Sequence, residues 1–190
     1  MAMGIDEFCP IFSADAYVSK EIRKVSLNDY KGKWLLIFFY PRDFTIVCPT
    51  EIMALAKAQN KFMENNVEIL AVSTDSAYTH KTWIEKDLPM VRFPLLSDHD
   101  GTISKAFGIY NAGENAAYRA TFIVDPYGYI KFSSVCNFDV GRSVREIYRV
   151  MKAIQSGGLC PSEWKPKSKT LGKPAEHIPA ADFGTKATRE

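Results

Sequence analysis

A chain of 190 residues can close one substantial hydrophobic core, and neither an internal repeat nor a long polar linker divides it. Its 24 basic and 22 acidic residues leave a formal net charge of +2, so no global field favours nucleic acid or anionic lipid as a partner. The longest apolar run, residues 34–40, is far too short to span a bilayer, and residues 1–7 lack the basic-then-apolar order of an export signal; a cytoplasmic protein without membrane association is expected.

Residues 9–33 carry only short apolar patches, which suggests an opening hairpin and a turn at Lys31, Gly32 and Lys33. Residues 34–40 follow as a buried strand that ends at Pro41, which has no N–H to pair. The spacing of Ile52, Met53, Leu55, Ala56 and Phe62 predicts a helix over residues 50–65, closed by Asn65 and Asn66. A second buried strand is expected at 67–73, then a helix over 77–86 capped by Asp75 or Ser76 and stopped before Pro89. A short strand at 93–96 and a helical piece at 103–107 come next. Residues 120–125 and 129–135 flank the turn sequence Asp125-Pro126-Tyr127-Gly128 and read as a hairpin. A last helix over 143–155 closes at Gly157 and Gly158, and from Lys165 onward Pro166, Pro174, Pro179 and several lysines predict an extended tail. Alternating strands and helices followed by a hairpin and a helix give an α/β layered domain over 1–164 with a tail over 165–190.

Four cysteines, Cys9, Cys48, Cys136 and Cys160, lie far apart, and His80, His99 and His177 are dispersed. With no Cys-x-x-Cys and no Cys/His cluster, neither a structural zinc site nor any other metal or cofactor is expected. Cys48 stands apart from the others. It follows the strand break at Pro41 and precedes Pro49, which suits the first helical position, and Glu51, which suits the positive end of a helix dipole. Cys48 is thus read as the N-cap, where unsatisfied N–H groups favour the thiolate, the nucleophilic form. Thr45, three residues earlier in the same loop, offers a hydroxyl to a bound substrate.

The spacing of Pro41, Thr45 and Cys48 matches Pro-x-x-x-Thr-x-x-Cys, the active-site pattern of the peroxiredoxins. Cys160-Pro161-Ser162-Glu163-Trp164 resembles the Cys-Pro-x-x-Trp segment around the resolving cysteine of the typical 2-Cys subclass, and Arg119 stands where that family has its active-site arginine. Arg142, in Val140-Gly141-Arg142-Ser143, matches a second arginine of the family, and Glu51 is positioned to hold the arginines. The resemblance implies a thioredoxin-like fold, a central mixed sheet flanked by helices. It also implies a thiol-dependent peroxidase for hydrogen peroxide and organic hydroperoxides. Cys48 becomes a sulfenic acid, Cys160 of a second subunit resolves it as an intersubunit disulfide, and thioredoxin or a flavoprotein disulfide reductase recycles that bond. The expected assembly is a homodimer that builds a decamer. Local unfolding must bring the two cysteines together, and Gly157, Gly158 and the Pro-rich tail are the expected source of mobility.

Two other readings compete. A thiol:disulfide oxidoreductase would want a second cysteine where Glu51 stands. A ring-forming holdase chaperone, an activity the family shows when assembled or overoxidised, would not need Cys48. Cys9 and Cys136 match no catalytic position and read as buried or incidental thiols. The Gly-Gly-Leu-Gly segment and the C-terminal Tyr-Phe helix of some family members are both missing from this sequence.

Overall fold

The structure, a computed structural model, describes residues 2–173, so the part of the expected tail that includes Pro174, His177 and Pro179 lies outside the described residues. The chain divides into two compact units between Val144 and Arg145.

The first unit opens with β1 (Ser13–Val18) and β2 (Glu21–Ser26), an antiparallel hairpin. Its turn residues Ser19 and Lys20 both take positive φ, 53° and 68°. That geometry suits a tight hairpin turn but is usually signalled by Gly or Asn, so nothing in this sequence announced where the turn lies. A short 3₁₀ turn (Leu27–Tyr30) leads to Gly32, whose φ of 79° makes the expected turn before β3 (Trp34–Phe39). The helix α1 (Cys48–Met63) then crosses over to β4 (Val67–Ser73), which pairs parallel with β3. Parallel neighbours require such a crossover.

Next come α2 (Ala77–Asp87), capped by the Ser76 hydroxyl, which accepts the Thr79 N–H at 3.1 Å, and β5 (Leu95–Ser97). The expected strand at 93–96 begins later because Pro94 has no N–H to give to a ladder. A short α3 (Thr102–Ala106) precedes a two-residue ladder of β6 (Tyr110–Asn111) and β7 (Ala116–Ala117). The hairpin of β8 (Arg119–Val124) and β9 (Ile130–Cys136) is the one expected from its turn. There the Asp125 carboxylate accepts the N–H groups of Tyr127 and Tyr129, each at 2.9 Å, and Gly128 takes a φ of 95°.

Seven strands form one mixed sheet in the order β2-β1-β5-β4-β3-β8-β9. β3 lies between β4 and β8, and its six residues are an unbroken apolar run because both faces are covered. Leu35, Ile37 and Phe39 point into a core with Ile103, Phe107 and Phe122. On the opposite face α1 and α2 pack, and the Tyr40 ring stands 5.9 Å from that of Trp83. The buried positions of α1 are Cys48, Glu51, Ile52, Leu55, Ala56, Gln59 and Phe62, spaced 3, 4, 7, 8, 11 and 14 residues from the first. This is the stripe of an amphipathic helix, and Glu51 lies on its buried face next to Cys48. Met53 lies off the stripe and is exposed.

The second unit begins in α4 (Val144–Ser156). Gly157, at φ 64°, ends the helix, and the chain then returns on itself: Leu159 donates to the Gly172 carbonyl and Leu171 donates to the Leu159 carbonyl, both at 2.8 Å. Residues 165–173 were expected to be extended; they turn back because Leu159 supplies a partner for their backbone groups.

Candidate active site

Cys48, Arg119, Glu51 and Arg142 converge at the carboxyl end of β3, the position where open α/β sheets bind ligands. The start of a helix, the start of a strand and a loop deliver them. Cys48 opens α1, Arg119 opens β8, whose register sets Ala120 opposite Phe39, and Arg142 lies in the loop after β9. The helix begins one residue earlier than expected: Val47 takes the N-cap position and Cys48 is the first helical residue. Val47 already has helical dihedrals, and its carbonyl accepts the N–H and the hydroxyl of Thr50. The thiol still lies in the first turn, at the positive end of the dipole.

Cys48 is fully buried, and Arg119 Nη1 donates to its Sγ at 3.3 Å. The same nitrogen donates to Glu51 Oε2 at 2.7 Å, while Arg119 Nε donates to the Phe138 carbonyl at 2.7 Å. Arg142 grips the carboxylate from the other side, with Nε to Oε1 at 2.9 Å, Nη2 to Oε2 at 3.1 Å and its backbone N–H to Oε1 at 2.6 Å. Its Nη1 donates to the Ala120 carbonyl at 2.6 Å and to Thr121 Oγ1 at 3.1 Å, and its guanidinium lies 3.4 Å above the Phe38 ring. All three charged side chains are at most 4% exposed. Two guanidinium groups thus share one carboxylate in a desolvated space. The surplus of one positive charge is what a Cys48 thiolate would neutralise.

Burial pushes the Glu51 carboxyl up, but hydrogen bonds and charge contact with Arg142, and the charge of Arg119, outweigh it and hold Glu51 below the ordinary glutamate range. Burial also holds Arg142 below its usual value in spite of Glu51. The two shifts pull opposite ways on the pair, but a guanidinium titrates so far above neutrality that both partners stay charged.

The loop between β3 and α1 is anchored at Asp43 rather than at Thr45. Tyr40 donates its hydroxyl to Asp43 Oδ1 at 2.7 Å, and His80 Nδ1 lies 2.8 Å from Asp43 Oδ2. The Asp43 N–H donates to Asp75 Oδ2 at 2.9 Å. Burial, the largest influence, raises the Asp43 carboxyl, while His80 opposes that rise. Phe44 then takes a φ of 55°, uncommon for a residue with a side chain. The remainder of the loop swings outward: Ile46 is 89% exposed, and Thr45 is exposed with its hydroxyl donating to the Arg42 carbonyl at 3.1 Å. No hydrogen bond joins Thr45 to Cys48. Pro41 is buried beside the anchor. Cys160 lies in the second unit, its Sγ 3.5 Å from Ser156 Oγ and 3.8 Å from the Ala153 carbonyl.

Reading the sequence alone missed the carbonyls of Phe138 and Ala120, the Thr121 hydroxyl and the Asp43–His80 contact. The first two are backbone groups with no sequence signature. His80 did carry one, since it falls on the buried stripe of α2 with Ala77 and Ile84. Among the described residues no cluster of His, Cys, Asp and Glu is arranged to hold a metal ion.

Replacing Arg119 with Ala removes the donor on Cys48 and leaves Glu51 held by Arg142 alone. The rate of Cys48 with peroxide is expected to fall about 100-fold or more, the usual cost of one lost donor in a preorganised site, measured by stopped-flow single turnover. A fall of less than about threefold would remove Arg119 from the chemistry. Glu51 gives a pH test. A carboxyl held below its unfolded value of about 4.3 contributes stability that is fully present above that pH and lost as pH falls through the folded value. Glu51→Gln is therefore expected to be less stable than wild type in urea at neutral pH, with the gap closing below about pH 4. A gap that holds constant on acidification would contradict the ion-pair reading.

Residues 5–133 match the AhpC/TSA family. The chain is 41% identical to a thioredoxin peroxidase of Fasciola hepatica, over 94% of this chain and 93% of that protein. It is 43% identical to the mitochondrial thioredoxin-dependent peroxide reductase of Homo sapiens, over 90% of this chain and 70% of that one. Among solved structures, a reduced Plasmodium vivax 2-Cys peroxiredoxin superposes with a TM-score of 0.83 at 37% identity, covering 87% of this chain and 91% of that chain. Mycobacterium tuberculosis AhpC gives 0.79 at 37% identity, over 87% of this chain and 100% of that chain. With the helix-start thiol, its arginine and the shared fold in agreement, the chain belongs to the AhpC/TSA family of peroxiredoxins.

Proposed function

We infer that this chain is a thiol-dependent peroxidase whose cycle starts at Cys48. One observation carries the assignment: a buried thiol in the first turn of α1 receives a hydrogen bond from Arg119 at 3.3 Å. A Cys48 thiolate attacks one peroxide oxygen, the O–O bond breaks, and the departing hydroxide or alkoxide takes up a proton. Arg119 holds the anionic sulfur and offers hydrogen bonds to the peroxide oxygens. Glu51 and Arg142 fix Arg119 in place, and Pro41 keeps water from the thiolate. Thr45 reaches a bound peroxide only if the outer half of its loop turns inward from the Arg42 carbonyl it now meets.

The Cys48 sulfenic acid then condenses with Cys160 of a second subunit, releasing water and forming an intersubunit disulfide. The names of the Fasciola and human relatives support thioredoxin as the donor that reduces this bond, with a flavoprotein disulfide reductase as the other candidate. Hydrogen peroxide and organic hydroperoxides are the proposed substrates, a homodimer built up to a decamer the proposed assembly, and the cytoplasm the proposed location.

The test separates the two thiols. In single turnover with hydrogen peroxide, Cys160→Ser is expected to retain the burst and Cys48→Ser to lose it. After one equivalent of peroxide, non-reducing gels are expected to show covalent dimers in wild type and none in Cys160→Ser. A burst that survives in Cys48→Ser, or dimers that depend on Cys136, would overturn the assignment.

A further inference from the structure

Cys160 is tied down more firmly than a flexible flank would allow. Its segment is a closed loop whose neck is the reciprocal backbone pair of Leu159 with Leu171 and Gly172, each bond 2.8 Å. Within the loop, Trp164 N–H donates to the Pro161 carbonyl at 3.1 Å, Ser168 N–H to the Lys165 carbonyl at 2.9 Å, and the Trp164 indole to the Ser168 carbonyl at 3.2 Å. The neck is tight: a Cβ on Gly158 would come within 2.9 Å of the Thr170 side chain. The thiol itself rests on the last turn of α4, against the Ala153 carbonyl and the Ser156 hydroxyl.

Arg149 joins this loop to the helix. It lies four residues before Ala153 and seven before Ser156, on the same face of α4. Glu146 holds two of its nitrogens in a fork, at 2.7 and 2.8 Å, and the third, Nη1, donates to the Trp164 carbonyl at 3.3 Å. Lysine would not do this, because one ammonium cannot complete the fork and reach the carbonyl in a fixed plane.

We propose that Arg149 is a positioning residue for the resolving step: by holding the Trp164 carbonyl to α4 it keeps the Cys160 loop closed and sets how often Cys160 is released toward the Cys48 sulfenic acid. The inference rests on the reading of Cys160 as the resolving thiol. The step it governs is the condensation already described, in which the sulfenic acid and the thiol form one S–S bond and one water, with no further oxidant. Closure and release compete with a second peroxide, which carries the sulfenic acid on to the sulfinic acid. A firm latch therefore favours overoxidation, and a loose one favours the disulfide.

The experiment compares Arg149→Met, Arg149→Lys and Trp164→Phe in the full chain. In stopped flow with excess peroxide, the first phase, oxidation of Cys48, is expected to stay within about twofold of wild type. The second phase, disulfide formation, is expected to quicken about three- to tenfold in Arg149→Met, the effect of one hydrogen bond of ordinary net strength, as its 3.3 Å length implies. Arg149→Lys should fall between the two. Trp164→Phe, which removes the indole bond to the Ser168 carbonyl and leaves Arg149 in place, should shift in the same direction. Mass spectrometry of Cys48 should show less sulfinic acid in Arg149→Met than in wild type at equal dose.

Amide exchange in the reduced protein, where no disulfide can form, reads the latch alone: Leu159 and Leu171 should exchange faster in Arg149→Met. If wild type forms no Cys160-dependent dimer, the resolving reading fails while the exchange measurement still judges the latch. Unchanged exchange with an unchanged second phase would overturn the inference, and so would a slower second phase, which would mean that Arg149 prepares Cys160 rather than restrains it.

Discussion

One carboxylate between two guanidinium groups governs the site. Glu51 is almost wholly removed from water, and a lone buried carboxylate would take up a proton instead of staying charged. It remains an anion because Arg119 and Arg142 reach it from opposite sides, four N–H contacts in all counting the Arg142 backbone. The arginines in turn are fixed by Glu51 and by the carbonyls of Phe138 and Ala120. Cys48 enters this network as the remaining acceptor, so its environment depends on a set of groups that hold each other. A buried network of this kind is stable only when every member is satisfied, and no buried side-chain polar atom among the described residues lacks a hydrogen-bond partner.

The fold serves that requirement. β3 is buried on both faces, which fixes where its end can lie, and α1 starts just past that end with its apolar stripe facing inward. The register of β8 against β3 and β9 then fixes Arg119, and the loop after β9 returns Arg142 over the Phe38 ring. The Asp43–His80 contact holds the inner half of the β3–α1 loop, while the outer half, with Thr45 and Ile46, is exposed. A network of fixed charges around a buried thiol, beside an exposed rim, is suited to preparing a nucleophile.

Much of this was legible in the residues. The unbroken apolar run of β3, the proline that ends it and the helical spacing behind Cys48 located the thiol to within one residue of its place at the helix start. Glu51 was legible as a first-turn acid suited to the helix dipole and to holding the arginines, while its burial shows only in the folded chain. The outer loop was not legible, because its course depends on Asp43, His80 and Asp75 meeting across the fold, and Phe44 adopts a conformation its side chain does not advertise. The same is true of the β1–β2 turn, made by Ser19 and Lys20 without a glycine, and of residues 165–173. There proline and lysine suggested an extended chain, while the deciding contacts come from the Leu159 backbone. Local composition reports the strands and helices well; it reports poorly those segments whose partners lie far along the chain.

The central claim is that Glu51 acts on Cys48 through Arg119, and a double-mutant cycle measures that directly. Second-order rates of Cys48 with hydrogen peroxide would be determined for wild type, Glu51→Gln, Arg119→Ala and the double variant. The expected result is strong coupling: Glu51→Gln slows wild type at least about tenfold, a coupling of about 1.4 kcal/mol or more, and has little further effect once Arg119 is gone. If the two losses simply multiply, Glu51 and Arg119 act independently, and the shared-carboxylate account of the site is wrong.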